Sequence, residues 1–135
     1  MSKVKVKYKM DRLKVYLISK KYSQYLWAKK KILEGYVPEF YCSDSDMITG
    51  LVRGENDVYA VCIDRVFKIF SCSCWGNKSH KTACKHIIFL ILYSILRGDL
   101  TSDEAYEVLS KGEHHLQKLK NGLDLFSLLK IIRGD

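Results

Sequence analysis

Hydrophobic positions recur along this chain with three spacings, and each spacing predicts a different element. Val4, Val6, Tyr8 and Met10 alternate with Lys3, Lys5, Lys7 and Lys9. Period two is that of a half-buried strand, and lysines along its other side discourage unwanted edge pairing. From about Asp11 to Glu34 the spacing becomes helical, with a break expected near Ser19 to Ser23 and with Tyr22, Leu26 and Leu33 able to face inward. Gly35 reads as the residue that closes this helix, and Pro38 prevents its continuation. Residues 41 to 46, YCSDSD, read as loop.

Short-period patterning then returns. Met47 to Arg53, Val58 to Ile63 and Val66 to Ser71 read as strands, joined by Gly54-Glu55-Asn56-Asp57 and around Asp64-Arg65. Their β-branched and aromatic residues suit a pleated surface. Connections this short cannot make parallel crossovers, so the expected sheet is a three-stranded antiparallel meander. Cys62 reads as a small core residue on a strand and Cys42 as a loop thiol. Lys85 to Arg97 reads as a helix. Its segment Ile87 to Leu96, IIFLILYSIL, is apolar on nearly every side, so it is either the central core helix or partly a face for a protein partner. Thr101-Ser102-Asp103-Glu104 has the form of a capping box, opening a helix expected to end near Gly112. A last helix is expected from Leu123 to Arg133, with a second sticky face that could also meet a partner. Adjacent His114 and His115 would point apart on a helix and read as surface residues.

With 135 residues, 47% hydrophobic and one proline, the chain is expected to form one domain with a core of its own. Its N-terminus has no apolar h-region, and Ile87 to Tyr93 is far shorter than the roughly 20 residues of a membrane span. No membrane association and an intracellular, cytoplasmic location are the expectations. The net charge of +8 is concentrated: residues 1 to 31 hold eleven basic residues and one acid. Such a block is either a solvated face or a footprint for a polyanion such as nucleic acid. The lysines with that second role are Lys3, Lys5, Lys7, Lys9, Lys29 and Lys30, joined by Lys78, Lys81 and Lys85 further along. Interleaved Tyr8, Tyr16, Tyr22, Tyr25, Trp27 and Trp75 are core residues or stacking platforms for unpaired bases.

The densest chemistry is SCSCWGNKSHKTACKH, residues 71 to 86, with three of the five cysteines and two of the four histidines. Its ligand-type residues fall as Cys72-x-Cys74, nine intervening residues, and Cys84-x-His86. Zn2+ takes four soft or borderline ligands in a tetrahedron, typically two from each of two segments. One pair here follows a strand and the other opens a helix, whose N-terminal dipole favours thiolates. Three thiolates and one neutral imidazole would leave a site charge of −1 and no open position for a substrate water. His80 is an alternative fourth ligand. A Cys72–Cys74 disulfide would close a very small strained ring. A redox pair would favour C-x-x-C beside a parallel-sheet pattern. Nothing pairs a nucleophile with a base and no glycine loop cradles phosphate, so the chain does not read as an enzyme.

C-x-C-x(n)-C-x-H after a β-meander and before an apolar helix resembles the SWIM zinc-binding domain. The likeness covers roughly residues 22 to 97, including VYAV, CSC and CKH. It implies Cys72, Cys74, Cys84 and His86 as zinc ligands, and a role in binding DNA or protein partners rather than catalysis. Recombination-mediator members of that family have alanine three residues after the ligand histidine, where this chain has Phe89. The expected fold class is α+β: a small three-stranded antiparallel meander with a CxC…CxH zinc knuckle, an N-terminal basic strand and helix, and two or three C-terminal helices. Residues 1–21 form a basic N-terminal arm, 22–97 the zinc-binding core, and 98–135 a helical extension of the same domain. The expected function is a zinc-stabilised module that binds nucleic acid, DNA before RNA. The alternative is a protein-interaction subunit of a DNA-processing or recombination complex.

Overall fold

A computed structural model describes residues 11–74 and 83–119. Its elements are α1 (Arg12–Lys20), α2 (Tyr22–Leu33), β1 (Phe40–Ser43), β2 (Met47–Arg53), β3 (Val58–Asp64), β4 (Ile69–Cys72), α3 (Lys85–Leu96) and α4 (Ser102–Leu119). The described chain is α+β, with one antiparallel sheet in the order β1-β2-β3-β4 and four helices. The strand expected over Val4 to Met10 and the helix expected over Leu123 to Arg133 lie outside the described residues.

The helical region before the sheet forms in two pieces. Asp11 starts α1 by accepting a hydrogen bond from the Leu13 N–H at 2.9 Å, which satisfies a donor that has no intrahelical partner. Lys21 then departs from helical geometry (φ −137°, ψ 41°), within the break expected between Ser19 and Ser23. Leu13 and Leu17 of α1 enter the core. Tyr22, Leu26 and Leu33 do not: they are 55%, 46% and 77% exposed. Ala28 is buried instead, with Tyr25, Trp27 and Ile32 partly buried beside it. Periodicity defines the stripes of a helix but not which stripe meets a neighbour, and the small Ala28 lets α2 lie close to α3. Helices α2 and α3 both end at a glycine with left-handed backbone, Gly35 (φ 87°) and Gly98 (φ 83°). In each case the next two N–H groups bond back to the last turn, as in Gly98 to Ile95 at 3.0 Å and Asp99 to Ser94 at 2.9 Å.

The sheet has four strands rather than three. Phe40–Ser43, overlapping the loop expected over residues 41 to 46, pairs with β2 in the register Tyr41↔Gly50 and Cys42↔Thr49. The aspartates that suggested a loop close the hairpin instead: Asp44 Oδ1 accepts the N–H groups of Asp46 and Met47 at 2.8 and 2.9 Å. Cys42 is therefore an exposed thiol on an edge strand. The last strand starts at Ile69, not Val66. Asp64 Oδ1 accepts the N–H groups of Val66 and Phe67 at 2.9 Å each, and Lys68 turns the chain with a positive φ of 59°. An Asx-type turn thus consumes two residues whose side chains suit a strand, and both are exposed.

One face of the sheet carries Ile48 and Val52 of β2, Val61 and Ile63 of β3, and Phe70 and Cys72 of β4, all buried. Helix α3 lies on it, burying Ile87, Ile88, Phe89, Leu90 and Ile91. Gly50 leaves room for Leu90, whose Cδ1 would lie 2.8 Å from an added Cβ. Full burial of such aliphatic side chains contributes about 1.5–3 kcal/mol each, so Ile87 to Ile91 belong to the core, while Leu96 at the far end is exposed. Helix α4 runs past Gly112, its expected end, to Leu119. Gly112 is buried against Phe70, and an added Cβ there would overlap the ring. It is a packing notch rather than a stop. The Glu104 N–H donates to Thr101 Oγ1 at 3.1 Å, as in a capping box. The Glu104 carboxylate turns to Arg65, at 2.8 and 2.9 Å. No described helix is long and apolar enough to cross a membrane.

Candidate metal centre

Strand β4 delivers Cys72 to the edge of the core. In an extended chain, residues two apart point the same way, so Cys74 follows Cys72 on the same side. Ser73 points away and ties the strand end down: its N–H donates to Ala60 O at 3.0 Å, and its Oγ accepts the Ala60 N–H at 3.0 Å. The second pair comes from the start of α3. Cys84 is the N-cap residue, with extended backbone (φ −83°, ψ 172°), and His86 sits in the first turn. The Cys84 carbonyl accepts the first helical bond, from the Ile88 N–H at 3.1 Å.

One ligand-type atom from each of Cys72, Cys74, Cys84 and His86 lies within 4.8 Å of the other three. His86 presents Nδ1, 3.8 Å from Cys72 Sγ and 3.7 Å from Cys84 Sγ. A tetrahedral ion with metal–sulfur bonds of about 2.3 Å and metal–nitrogen bonds of about 2.0–2.1 Å sets S···N edges of roughly 3.6 Å. The cluster is therefore close to the dimensions of a four-coordinate site, and these four residues could hold a metal ion. None of the five cysteines is paired in a disulfide.

Bringing three thiols together without a cation is unfavourable to their ionisation. Hydrogen bonds with Cys74 and Cys84, followed by burial, hold the Cys72 thiol far above its ordinary range. For Cys84 a hydrogen bond from Cys72 pulls downward, but Cys74 and burial outweigh it and push the thiol up to about 12. A cation would reverse this balance, because it binds thiolates and displaces their protons. Cys62 also rises to about 12, through burial and then the charge of Asp64. It sits on β3 as an inert core thiol.

No protein-family model, no curated protein and no solved structure matches the chain. The likeness to SWIM domains therefore rests on the motif and its setting between a sheet and an apolar helix.

The other residues marked by the sequence fall into two groups. Lys3, Lys5, Lys7, Lys9, Lys78 and Lys81 lie outside the described residues, as does His80. Lys29 and Lys30 are exposed on α2. Lys85 is less free: its Nζ pairs with Glu55 at 3.3 Å and lies 5.0 Å from the centre of the Trp27 ring. Sequence reasoning missed the walls around His86. Tyr59 lies tilted against the imidazole at a centroid distance of 4.5 Å and 31°, and Trp27 meets it edge-on at 5.6 Å and 83°. Trp27, Tyr59 and His86 come from three distant segments, so no local pattern links them. Phe89, the departure from the recombination-mediator pattern, is buried against Trp27 and Tyr93.

Proposed function

We propose that this chain is a zinc-stabilised, non-catalytic module of SWIM-like design that binds nucleic acid, DNA in preference to RNA. The convergence of three thiols and one imidazole within 4.8 Å is the observation that supports this reading most. Soft thiolates with one imidazole in tetrahedral spacing suit Zn2+, whereas Mg2+ and Ca2+ prefer oxygen ligands. Four protein ligands fill the shell, so the ion would tie β4 to α3 rather than activate water. The nucleic-acid half rests on charge: eleven basic residues and one acid in residues 1 to 31, with Lys29 and Lys30 exposed on α2. Metal analysis of protein purified without chelator should give one zinc per chain. Titration with duplex and single-stranded DNA should show affinity falling with salt, with a log–log slope of about −0.9 per phosphate neutralised on duplex. Absence of zinc removes the first half of the reading, and absence of binding at low salt removes the second.

A specific observation also favours the protein-interaction reading, and it moves the surface. Ile87 to Ile91 are buried, whereas Tyr22, Leu26 and Leu33 line one exposed stripe of α2 with Lys29 and Lys30 beside them. A partner in a DNA-processing complex would meet α2. Replacing Leu26 and Leu33 by Asp would then abolish partner binding without loss of zinc.

A further inference from the structure

The imidazole of His86 is aimed at the thiols through Nδ1, which leaves Nε2 as the nitrogen that carries the proton when Nδ1 binds a metal. Metal-binding histidines usually fix this second nitrogen by donating its proton to a carboxylate or carbonyl. Here Nε2 is buried and has no hydrogen-bond partner among the described residues. Among the described residues, packing rather than a hydrogen bond surrounds the ring. Tyr59 covers it at 4.5 Å and Trp27 abuts it at 5.6 Å. The third wall is the turn after β2. Gly54 opens that turn, donating its N–H to Asp57 O at 2.8 Å, and the Glu55–Lys85 ion pair at 3.3 Å draws the turn onto the start of α3. An added Cβ on Gly54 would lie 2.8 Å from His86 Nε2 and 2.6 Å from Tyr59 Cε2. Both distances are shorter than van der Waals contact allows, so a side chain there would strike the imidazole and its stacking partner together.

We infer that Gly54 is a positioning residue of the metal centre: its missing side chain lets the β2–β3 turn close over His86, so that packing against Gly54 and Tyr59 aims Nδ1 at the three thiols. This rests on the reading that the four residues hold a metal ion. The shape of the pocket thus does, among the described residues, what a hydrogen bond to the second nitrogen usually does.

Co2+ is the probe, because thiolate–cobalt charge-transfer and d–d bands report the ligand geometry directly. Wild type and Gly54→Ala are titrated with Co2+, their saturated spectra are compared, and Zn2+ affinity is measured by chelator competition. Gly54→Ala should bind Zn2+ about 10- to 100-fold more weakly, the usual effect of disturbing the support of a ligand, and its saturated d–d bands should shift. Gly50→Ala is the matched control. Its added Cβ meets Leu90 Cδ1 at the same 2.8 Å, and its three nearest atoms belong to Leu90 and Phe40 rather than to a ligand. It should lower thermal stability and leave the saturated cobalt spectrum native, which separates positioning from general destabilisation. Gly54→Ala with wild-type affinity and spectrum overturns the inference. If Gly54→Ala does not fold even with metal, Tyr59→Leu, which removes the stack without adding atoms near Nε2, carries the test. A shifted spectrum supports the inference, and an unchanged one overturns it. Wild type that binds neither Co2+ nor Zn2+ overturns the metal reading itself.

Discussion

Strand β4 is held at both ends, and the two clamps differ in kind. At its start, the turn from Arg65 to Lys68 is fastened to α4. Arg65 makes a two-pronged bond with Glu104 at 2.8 and 2.9 Å and donates to Asp44 O at 2.9 Å, while Lys68 lies 3.6 Å from Glu107. Phe70 then packs against Gly112. At its end, Cys72 and Cys74 face Cys84 and His86 of α3. The first clamp is complete by itself, since every charge in it has an opposite partner. The second is not: the crowding of its thiols and their burial suppress ionisation of Cys72 and Cys84, and His86 Nε2 has no hydrogen-bond partner among the described residues. Satisfied polar groups make a joint that ordinary solution conditions preserve. A cluster of soft donors makes one that a cation could strengthen.

The largest effect should come from breaking the second clamp. Structural zinc supplies an apparent ~10–16 kcal/mol in zinc-finger peptides, against a typical total stability of about 5–15 kcal/mol for a domain. Chelation of the metal-loaded protein, or Cys74→Ala, should therefore abolish or greatly weaken its cooperative thermal transition. Retention of the wild-type melting curve after complete metal removal would show that β4 and α3 are joined without the ion. Binding would take three thiolates from thiols that are mostly protonated at neutral pH, with Cys72 and Cys84 held above the ordinary range. Affinity should fall by up to about 1,000-fold per pH unit on acidification, as many as three protons competing with each cation. Proton release measured by calorimetry in buffers of different ionisation enthalpy checks this.

A smaller loss should follow from filling the notch in the first clamp. Gly112→Val would force Phe70 aside, and overpacking of this kind costs about 1–3 kcal/mol. The urea midpoint should fall while metal content is unchanged. A midpoint equal to wild type would mean that α4 and β4 can separate at no cost.

The ionic part of the first clamp should contribute less. Glu104→Gln should lower stability by about 1–2 kcal/mol, between the values for exposed pairs and for charged hydrogen bonds, since both side chains are about a fifth exposed. The hydrogen bond from Arg65 holds the Glu104 carboxyl below its ordinary value of 4.5. A depressed carboxyl contributes its full stability above the unfolded value and loses it as pH falls through the folded one. Wild type and Glu104→Gln should thus differ at pH 6, and the difference should shrink as pH falls below 4.5 and vanish in strong acid. A difference that persists into strong acid would assign the effect to packing.

The smallest effect on stability should come from the charged face of α2. Lys29→Glu with Lys30→Glu should change stability by no more than about 0.5 kcal/mol per site, because both side chains are exposed. The same pair should reduce the salt dependence of DNA binding by about two slope units if each lysine neutralises one phosphate. An unchanged slope would place the nucleic-acid surface elsewhere or favour the protein-partner reading of α2.

Features that depend only on neighbours along the chain were legible in the order of residues. Two-residue spacing put Cys72 and Cys74 on one side of a strand end, and a helix start followed Cys84. A break fell between Ser19 and Ser23, and glycine closed α2. Each follows from local backbone geometry or from an energy that one segment carries alone. Tertiary structure decided the rest. Aspartate side chains bound their own turns, so β1 formed where a loop was expected and β4 began three residues late. Gly112 became a notch because Phe70 occupied the space beside it. The packing of α2 through Ala28 left Tyr22, Leu26 and Leu33 outside. Trp27 from α2, and Gly54 and Tyr59 from the β2–β3 hairpin, came to surround His86. Such outcomes turn on which surfaces meet, and a one-dimensional pattern carries period and polarity but not the identity of the partner across the gap.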